Sequence, residues 1–172
     1  MSFAKLVPQN TLNRRLSLMI TIRKANIGDL KPIQNLSYKL FRNDEGRISN
    51  LVMDWSQGPE GEKYFTDRIE NRGVCFVAED DGEVVGYITG EVKKDISWRS
   101  VHISELENIF IEEKYRHQSI GRRLFEELKN WSKENGAQKM TVSPSIPNTS
   151  AIEFYKSVGF EPYSLELEME IE

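Results

Sequence analysis

The stretch VCFVAEDDGEVVGYITGEV, Val74 to Val92, is β-rich on both sides of Asp80-Asp81-Gly82. An Asp-Gly pair between two such runs signals a tight hairpin, because both central residues take positive φ and so match the twist of the flanking strands. The sheet must therefore contain at least one antiparallel pair.

The rest of the chain alternates. Met19–Ala25 reads as a first strand and Val101–Ile111 as the strand after the hairpin. Met140–Val142 is a short strand interrupted by Pro144, and LELEMEI closes the chain with Leu165, Leu167, Met169 and Ile171 on one face. Helical spacing places Ile33, Leu36 and Leu40 behind an Asp29 cap, and Tyr64, Phe65 and Ile69 on a second helix. Ile120, Leu124, Leu128 and Trp131 form a stripe that stops at Asn135-Gly136. Ala151, Phe154, Tyr155 and Val158 mark a last helix stopped by Gly159. At 172 residues this is one domain. The expected class is mixed α/β (α+β), with residues 19–172 as the domain and residues 1–18 as an N-terminal extension.

Composition excludes several roles. A net charge of -4 argues against a nucleic-acid binder. The single cysteine, Cys75, cannot form an intramolecular disulfide and lies in an apolar run, so it reads as buried. The first residues lack the apolar core of a secretory signal, and no run approaches the roughly 20 apolar residues of a membrane span. His102 and His117 lack the partners of a metal site, so no metal is expected. A cytoplasmic protein is the expectation.

The chemistry concentrates in YRHQSIGRRL, Tyr115–Leu124, between an apolar strand and an amphipathic helix. A turn there sets its amides at a helix N-terminus, where four donors are unpaired and the dipole favours anions. Arg116, Arg122 and Arg123 add cations suited to phosphate. Gly121 keeps the backbone bare. If position 119 takes positive φ, Ser119 costs about 1–2 kcal/mol relative to glycine. No P-loop and no dinucleotide fingerprint is present.

LENIFIEEKYRHQSIGRRL, followed by NTSAIEFYKSVGF, resembles the GNAT superfamily of N-acetyltransferases. The first signature, [Q/R]-x-x-G-x-[G/A] after an apolar strand, falls on Arg116, Ser119 and Gly121, with serine in place of the first glycine. The second falls on Asn148, Ala151, Tyr155, Gly159 and Phe160. The resemblance implies a central, mostly antiparallel twisted sheet flanked by helices, with the fourth and fifth strands parallel and splayed apart. It also implies an acetyl-CoA site. Arg116, His117, Gln118, Ser119, Ile120, Gly121 and Arg122 would hold the pyrophosphate. The backbone of Ile109, Phe110 and Ile111 would run beside the pantetheine arm, with Asn148 bonding that arm and Tyr155 beside the sulfur. Pro144 suits a strand that stops pairing.

Direct transfer to an amine needs a neutral nucleophile and a proton for the thiolate. An alkyl ammonium of pKa near 10.4 lies about 4–5 kcal/mol from neutral at pH 7. Glu105 and Glu107, at i and i+2, share a strand face, and Glu107, nearer the splay, is the expected base. Tyr155 by position alone is a core residue; with the signature it is the expected general acid. The segment Phe41–Tyr64 and the loop KKDISWRS are placed by the resemblance around the acceptor. There Asp44, Glu45, Asp54, Glu60 and Glu62 can attract a cation, and Trp55 and Trp98 can stack on one. The expected acceptor is a small-molecule primary amine, and the expected assembly a homodimer. A protein acetyltransferase and a non-catalytic acyl-CoA sensor are the alternatives.

Overall fold

The computed structural model describes residues 20–93 and 98–171. The expected extension, residues 1–18, lies outside the described residues, as do residues 94–97 of KKDISWRS. The elements are β1 (Thr21–Lys24), α1 (Leu30–Asp44), α2 (Pro59–Glu70), β2 (Val74–Asp80), β3 (Glu83–Lys93), β4 (Ile103–Ile111), α3 (Ile120–Glu134), β5 (Lys139–Thr141) and α4 (Thr149–Ser157). The sheet runs β1-β2-β3-β4-β5, antiparallel except for the parallel β4–β5 pair. This is the expected mixed α/β arrangement.

The hairpin turns as its sequence requires, with Asp81 at φ 48° and Gly82 at φ 84°. Strand β2 is buried on both faces. Val74, Phe76 and Ala78 pack with Leu124 and Leu128 of α3, while Cys75 and Val77 pack with Ile33 of α1 and Phe65 of α2. Helices thus cover both sides, α1 and α2 on one, α3 and α4 on the other. The start of α1 differs from expectation. Asp29 makes no side-chain cap; instead Asn26 caps a short 3-10 turn whose Asp29 returns a bond to the Asn26 amide. Asp29 is further engaged by both terminal nitrogens of Arg23, at 2.7 and 2.8 Å.

One irregularity opens the molecule. Between β3 and β4 the register passes from Thr89↔Asn108 to Gly90↔Leu106, so Glu107 is an extra residue in β4. A bulge bends its strand and disturbs pairing. Strand β5 pairs with β4 only over Ile103–Glu105, just before that bend, and then stops. From Leu106 to Ile111 the β5-facing edge of β4 is open. Gly90 makes the crossing possible, since a Cβ there would lie 2.6 Å from the Glu105 carbonyl oxygen.

The expected closing strand is absent. Residues 160–171 have no regular structure, and Leu165, Leu167, Met169 and Ile171 are each at least two-thirds exposed. Alternation makes a segment fit for a sheet, but a strand exists only against a partner, and these residues pair with none of the described strands.

Candidate active site

The opening between β4 and β5 belongs to a cavity of about 1350 Å³. That exceeds the roughly 300–1,000 Å³ of a pocket for one drug-sized ligand, so two substrates fit side by side. Its walls come from the end of α1 and the segment after it, the second half of β4, the turn into α3, residues 142–145 and α4.

The turn is built as an anion cradle. Helix α3 closes its first turn when the Arg123 amide donates to the Ser119 carbonyl, so the amides before it point out of the helix. Ser119 is left-handed (φ 63°, ψ 9°) and its side chain makes no cap bond. A left-handed residue followed by a helical one turns successive N–H groups to one concave side. His117 is also left-handed, at φ 60°. Arg116 donates from Nε to the Ile111 carbonyl at 3.0 Å, tying the turn to the end of β4. Arg122 donates to the Ser157 carbonyl at 3.0 Å, tying α3 to α4. A Cβ on Gly121 would meet Ile111 Cδ1 at 3.1 Å and Phe154 Cε2 at 3.3 Å, so the glycine also lets α4 approach.

Arg116, His117, Ser119, Ile120, Gly121 and Arg122 all line the cavity; Gln118 does not, and donates to the Lys114 carbonyl. Ile109, Phe110 and Ile111 form the wall opposite α4. Asn148 is the N-cap of α4: its side-chain oxygen accepts from the Ala151 amide at 3.2 Å and its amide nitrogen donates to Asp44 at 3.3 Å. Residues 142–145 carry Pro144 past the last paired residue of β5.

Tyr155 sits in the same wall, with Phe154 and Phe160 against its ring. Its hydroxyl bonds to no protein group among the described residues. Burial, and then the charge of Asp44, push its phenol up to about 12, so it stays protonated at physiological pH.

Glu107 lines the cavity beside the open edge of β4, and there its carboxylate is held by neighbours that the sequence did not show. Arg68, itself buried, grips it with both arms, Nε to Oε2 at 2.6 Å and Nη2 to Oε1 at 2.7 Å. The Tyr64 hydroxyl donates to Oε2 at 2.9 Å. Both carboxylate oxygens are therefore engaged, in three of the roughly four hydrogen bonds that a carboxylate can accept. Tyr64 also takes a hydrogen bond from Asn108 at 2.9 Å. The bulge brings Asn108 there, because strict alternation would turn it toward α3. Burial, and then the Glu107 charge, hold the Tyr64 phenol well above its ordinary range. Glu105 pairs with Lys93.

Of the five acids expected around the acceptor, only Asp44 lines the cavity; Glu45, Asp54, Glu60 and Glu62 do not. Trp55 lines it, stacked 5.7 Å from Phe41, whereas Trp98 is three-quarters exposed and carries Arg99 over its ring. Cys75 is fully buried, and burial pushes its thiol far up, which suits a structural residue. Arg68 and Tyr64 were missed by the sequence reading: Tyr64 was seen only as a helix position, and nothing marks Arg68 until the fold sets it beside Glu107. No group of three or more metal-ligating side chains occurs among the described residues, and no described helix is long and apolar enough to cross a membrane.

Comparison with known proteins agrees with this geometry. The model of the Acetyltransferase (GNAT) family matches residues 38–160. An uncharacterized N-acetyltransferase of Methanocaldococcus jannaschii is 29% identical over 141 residues, covering 82% of this chain; the chain spans 60% of that relative's length. An uncharacterized N-acetyltransferase of Bacillus subtilis is 27% identical over 144 residues, covering 83% of this chain and 90% of that protein. Among solved structures, an aminoglycoside N-acetyltransferase, AAC(6')-Iy, in complex with CoA superposes with a TM-score of 0.72 at 19% identity, over 88% of this chain and 94% of that one. With its bulged β4, its parted β5 and a helix N-terminus facing the gap, the chain belongs to the GNAT acetyltransferase family, acyltransferases that take their acetyl group from acetyl-CoA.

Proposed function

We propose that the protein moves the acetyl group of acetyl-CoA directly to the primary amine of a small molecule. The observation that carries this reading is the cavity itself: the amide cradle at Ser119–Arg122 and the unpartnered Tyr155 hydroxyl line one continuous space beside the open edge of β4. The pyrophosphate rests on the amides from Arg116 to Arg122, and the pantetheine arm passes along Ile109–Ile111 and Asn148. The sulfur ends beside Tyr155. As nitrogen attacks the acetyl carbon and the C–S bond breaks, the Tyr155 hydroxyl gives its proton to the departing thiolate. A proton leaving the attacking nitrogen restores the phenol.

Glu107 acts in this reading through what it holds. With Arg68 it fixes Tyr64 and Asn108, which face the acceptor side from α2 and β4. Side chains of the segment from Phe41 to Trp55 wall one side of the cavity, which supports a compact acceptor over an extended peptide. The solved relative with CoA acts on aminoglycosides, which are polyamines. A cytoplasmic location is part of this reading and is supported by dependence on an intracellular cosubstrate. A homodimer is supported by Leu165, Leu167, Met169 and Ile171, an alternating apolar row that this chain leaves uncovered.

The test is protein-dependent release of free thiol from acetyl-CoA across polyamines, aminoglycosides, amino acids and lysine peptides. Release with a small amine, with an acetylamide product seen by mass spectrometry, is expected. Release only with peptides transfers the activity to protein acceptors. Acetyl-CoA binding without release to any amine turns the protein into a binding module and overturns the reading.

A further inference from the structure

With its oxygens held by Arg68 and Tyr64, Glu107 serves in the proposed reaction to fix its neighbours, which leaves the proton-accepting role open. We propose that Asp44 fills it: its carboxylate binds the acceptor's ammonium ion and removes the proton that must leave before attack. The proposal rests on the amine-acetyltransferase reading above.

Four features converge on Asp44. Its side chain is 15% exposed and faces the cavity, at the end of α1. A helix C-terminus carries negative partial charge, which disfavours a carboxylate there and favours a cation brought to it. Its present partners are weak. The Arg47 guanidinium stands 3.5 Å away on a side chain 40% exposed, and the Asn148 amide donates over 3.3 Å. Burial consequently raises the Asp44 pKa more than these two partners lower it. An under-compensated carboxylate in a cavity is an unfilled cation site with proton affinity to spare.

Its position is right for the thioester. Asp44 touches Asn148, the N-cap of α4, and Tyr155 follows two turns later on the same helix, about 10 Å along the axis. Side chains on a helix lean toward its N-terminus, so the Tyr155 ring reaches back toward the Asp44 end. The Asp44 charge is indeed felt by the Tyr155 phenol. An amine between them has a proton acceptor behind it and a proton donor ahead.

The protons balance. The ammonium gives one proton to Asp44, which later releases it to water. The neutral nitrogen attacks the acetyl carbon, the C–S bond breaks, and Tyr155 protonates the sulfur. The second nitrogen proton then returns to the Tyr155 oxygen. The products are the acetylamide, free CoA thiol and one proton to solvent.

The test compares wild-type protein with Asp44→Asn on two kinds of acceptor: alkyl amines that are ammonium ions at pH 7, and amines of similar size with pKa below 6 that are already neutral. For ammonium acceptors kcat/KM falls about a hundredfold or more, the range for a lost general base. For neutral amines the loss stays within about tenfold, and acetyl-CoA affinity, measured by calorimetry, is unchanged. The unliganded Asp44→Asn protein melts at or slightly above the wild-type temperature, because an unfavourable buried charge is gone; a residue serving only as a partner to Arg47 gives the reverse. Equal loss on both acceptor kinds, no loss on either, or a clearly lowered melting temperature overturns the proposal. Should Asp44→Asn be poorly folded, Arg47→Ala decides: freeing the carboxylate lowers KM for ammonium acceptors, and an unchanged or higher KM overturns the proposal. If wild-type protein acetylates no amine of either kind, the underlying activity fails, and Asp44 with it.

Discussion

Replacing Ser119 by glycine should stabilise this protein. Ser119 holds φ 63°, ψ 9°, a conformation costing an L-residue about 1–2 kcal/mol through the clash of Cβ with the following carbonyl. Nothing offsets that locally, since the hydroxyl makes no cap bond to α3. Glycine removes the clash but gives the unfolded chain more freedom, returning about 0.4–1 kcal/mol. The net gain is centred on about 0.8 kcal/mol, within limits of about 0–1.6 kcal/mol. In a domain of this size each kcal/mol moves the melting temperature by about 2–4 °C, so Ser119→Gly should melt about 1–4 °C above wild type. Ser119→Val should melt below it, because a β-branched residue at positive φ is a true outlier. Thermal melts by circular dichroism read both. If the Ser119 amide and not its hydroxyl holds CoA, as proposed, calorimetry should find CoA affinity for Ser119→Gly within about threefold of wild type. A Ser119→Gly protein that melts lower, or loses CoA affinity tenfold, would refute the reasoning and give the hydroxyl a direct part in binding.

Other outcomes follow from the same geometry. Tyr155→Phe should keep acetyl-CoA affinity while kcat falls about 10²–10⁴-fold, the cost of a missing general acid in a steady-state assay. With its phenol up at about 12, Tyr155 should produce no alkaline fall in rate below about pH 11, measured on a stable acceptor. Glu107→Gln should destabilise by about 1–3 kcal/mol in urea unfolding, because Arg68 loses one charge-assisted bond while Asp67 and Glu91 remain beside it. Asp29, whose pKa the Arg23 pairing lowers, contributes stability that is present above the unfolded carboxylate range and lost as pH falls through its folded value. Asp29→Asn should therefore flatten the acid limb of the stability profile below about pH 4.

Much of the site was legible because two short motifs mark the turn into α3 and the start of α4, whose backbone the local sequence largely determines. Arg116, His117, Ser119, Ile120, Gly121, Asn148 and Tyr155 line one cavity, where the resemblance put them, whereas Gln118 does not line it; Asp81-Gly82 turns the hairpin. The sequence hides what depends on partners far away in the chain. Alternation in β4 put Glu105 and Glu107 on one face but could not show the extra residue at Glu107 or the bend it causes. It could not show Arg68, 39 residues earlier, closing on both Glu107 oxygens. The row Leu165, Leu167, Met169 and Ile171 has the period of a strand, yet strand formation requires an edge to pair with, which no local pattern encodes. Asp44 appeared only as one acid among five until the cavity set it apart from the others.

The most direct test of the account is a crystal structure of the protein with a CoA thioether that cannot transfer its acyl group. The account predicts the pyrophosphate on the amides between Arg116 and Arg122, the pantetheine arm in the gap between β4 and residues 142–145, and the sulfur within hydrogen-bonding reach of the Tyr155 hydroxyl. A sulfur placed away from Tyr155, or a pyrophosphate bound elsewhere than this turn, would contradict it.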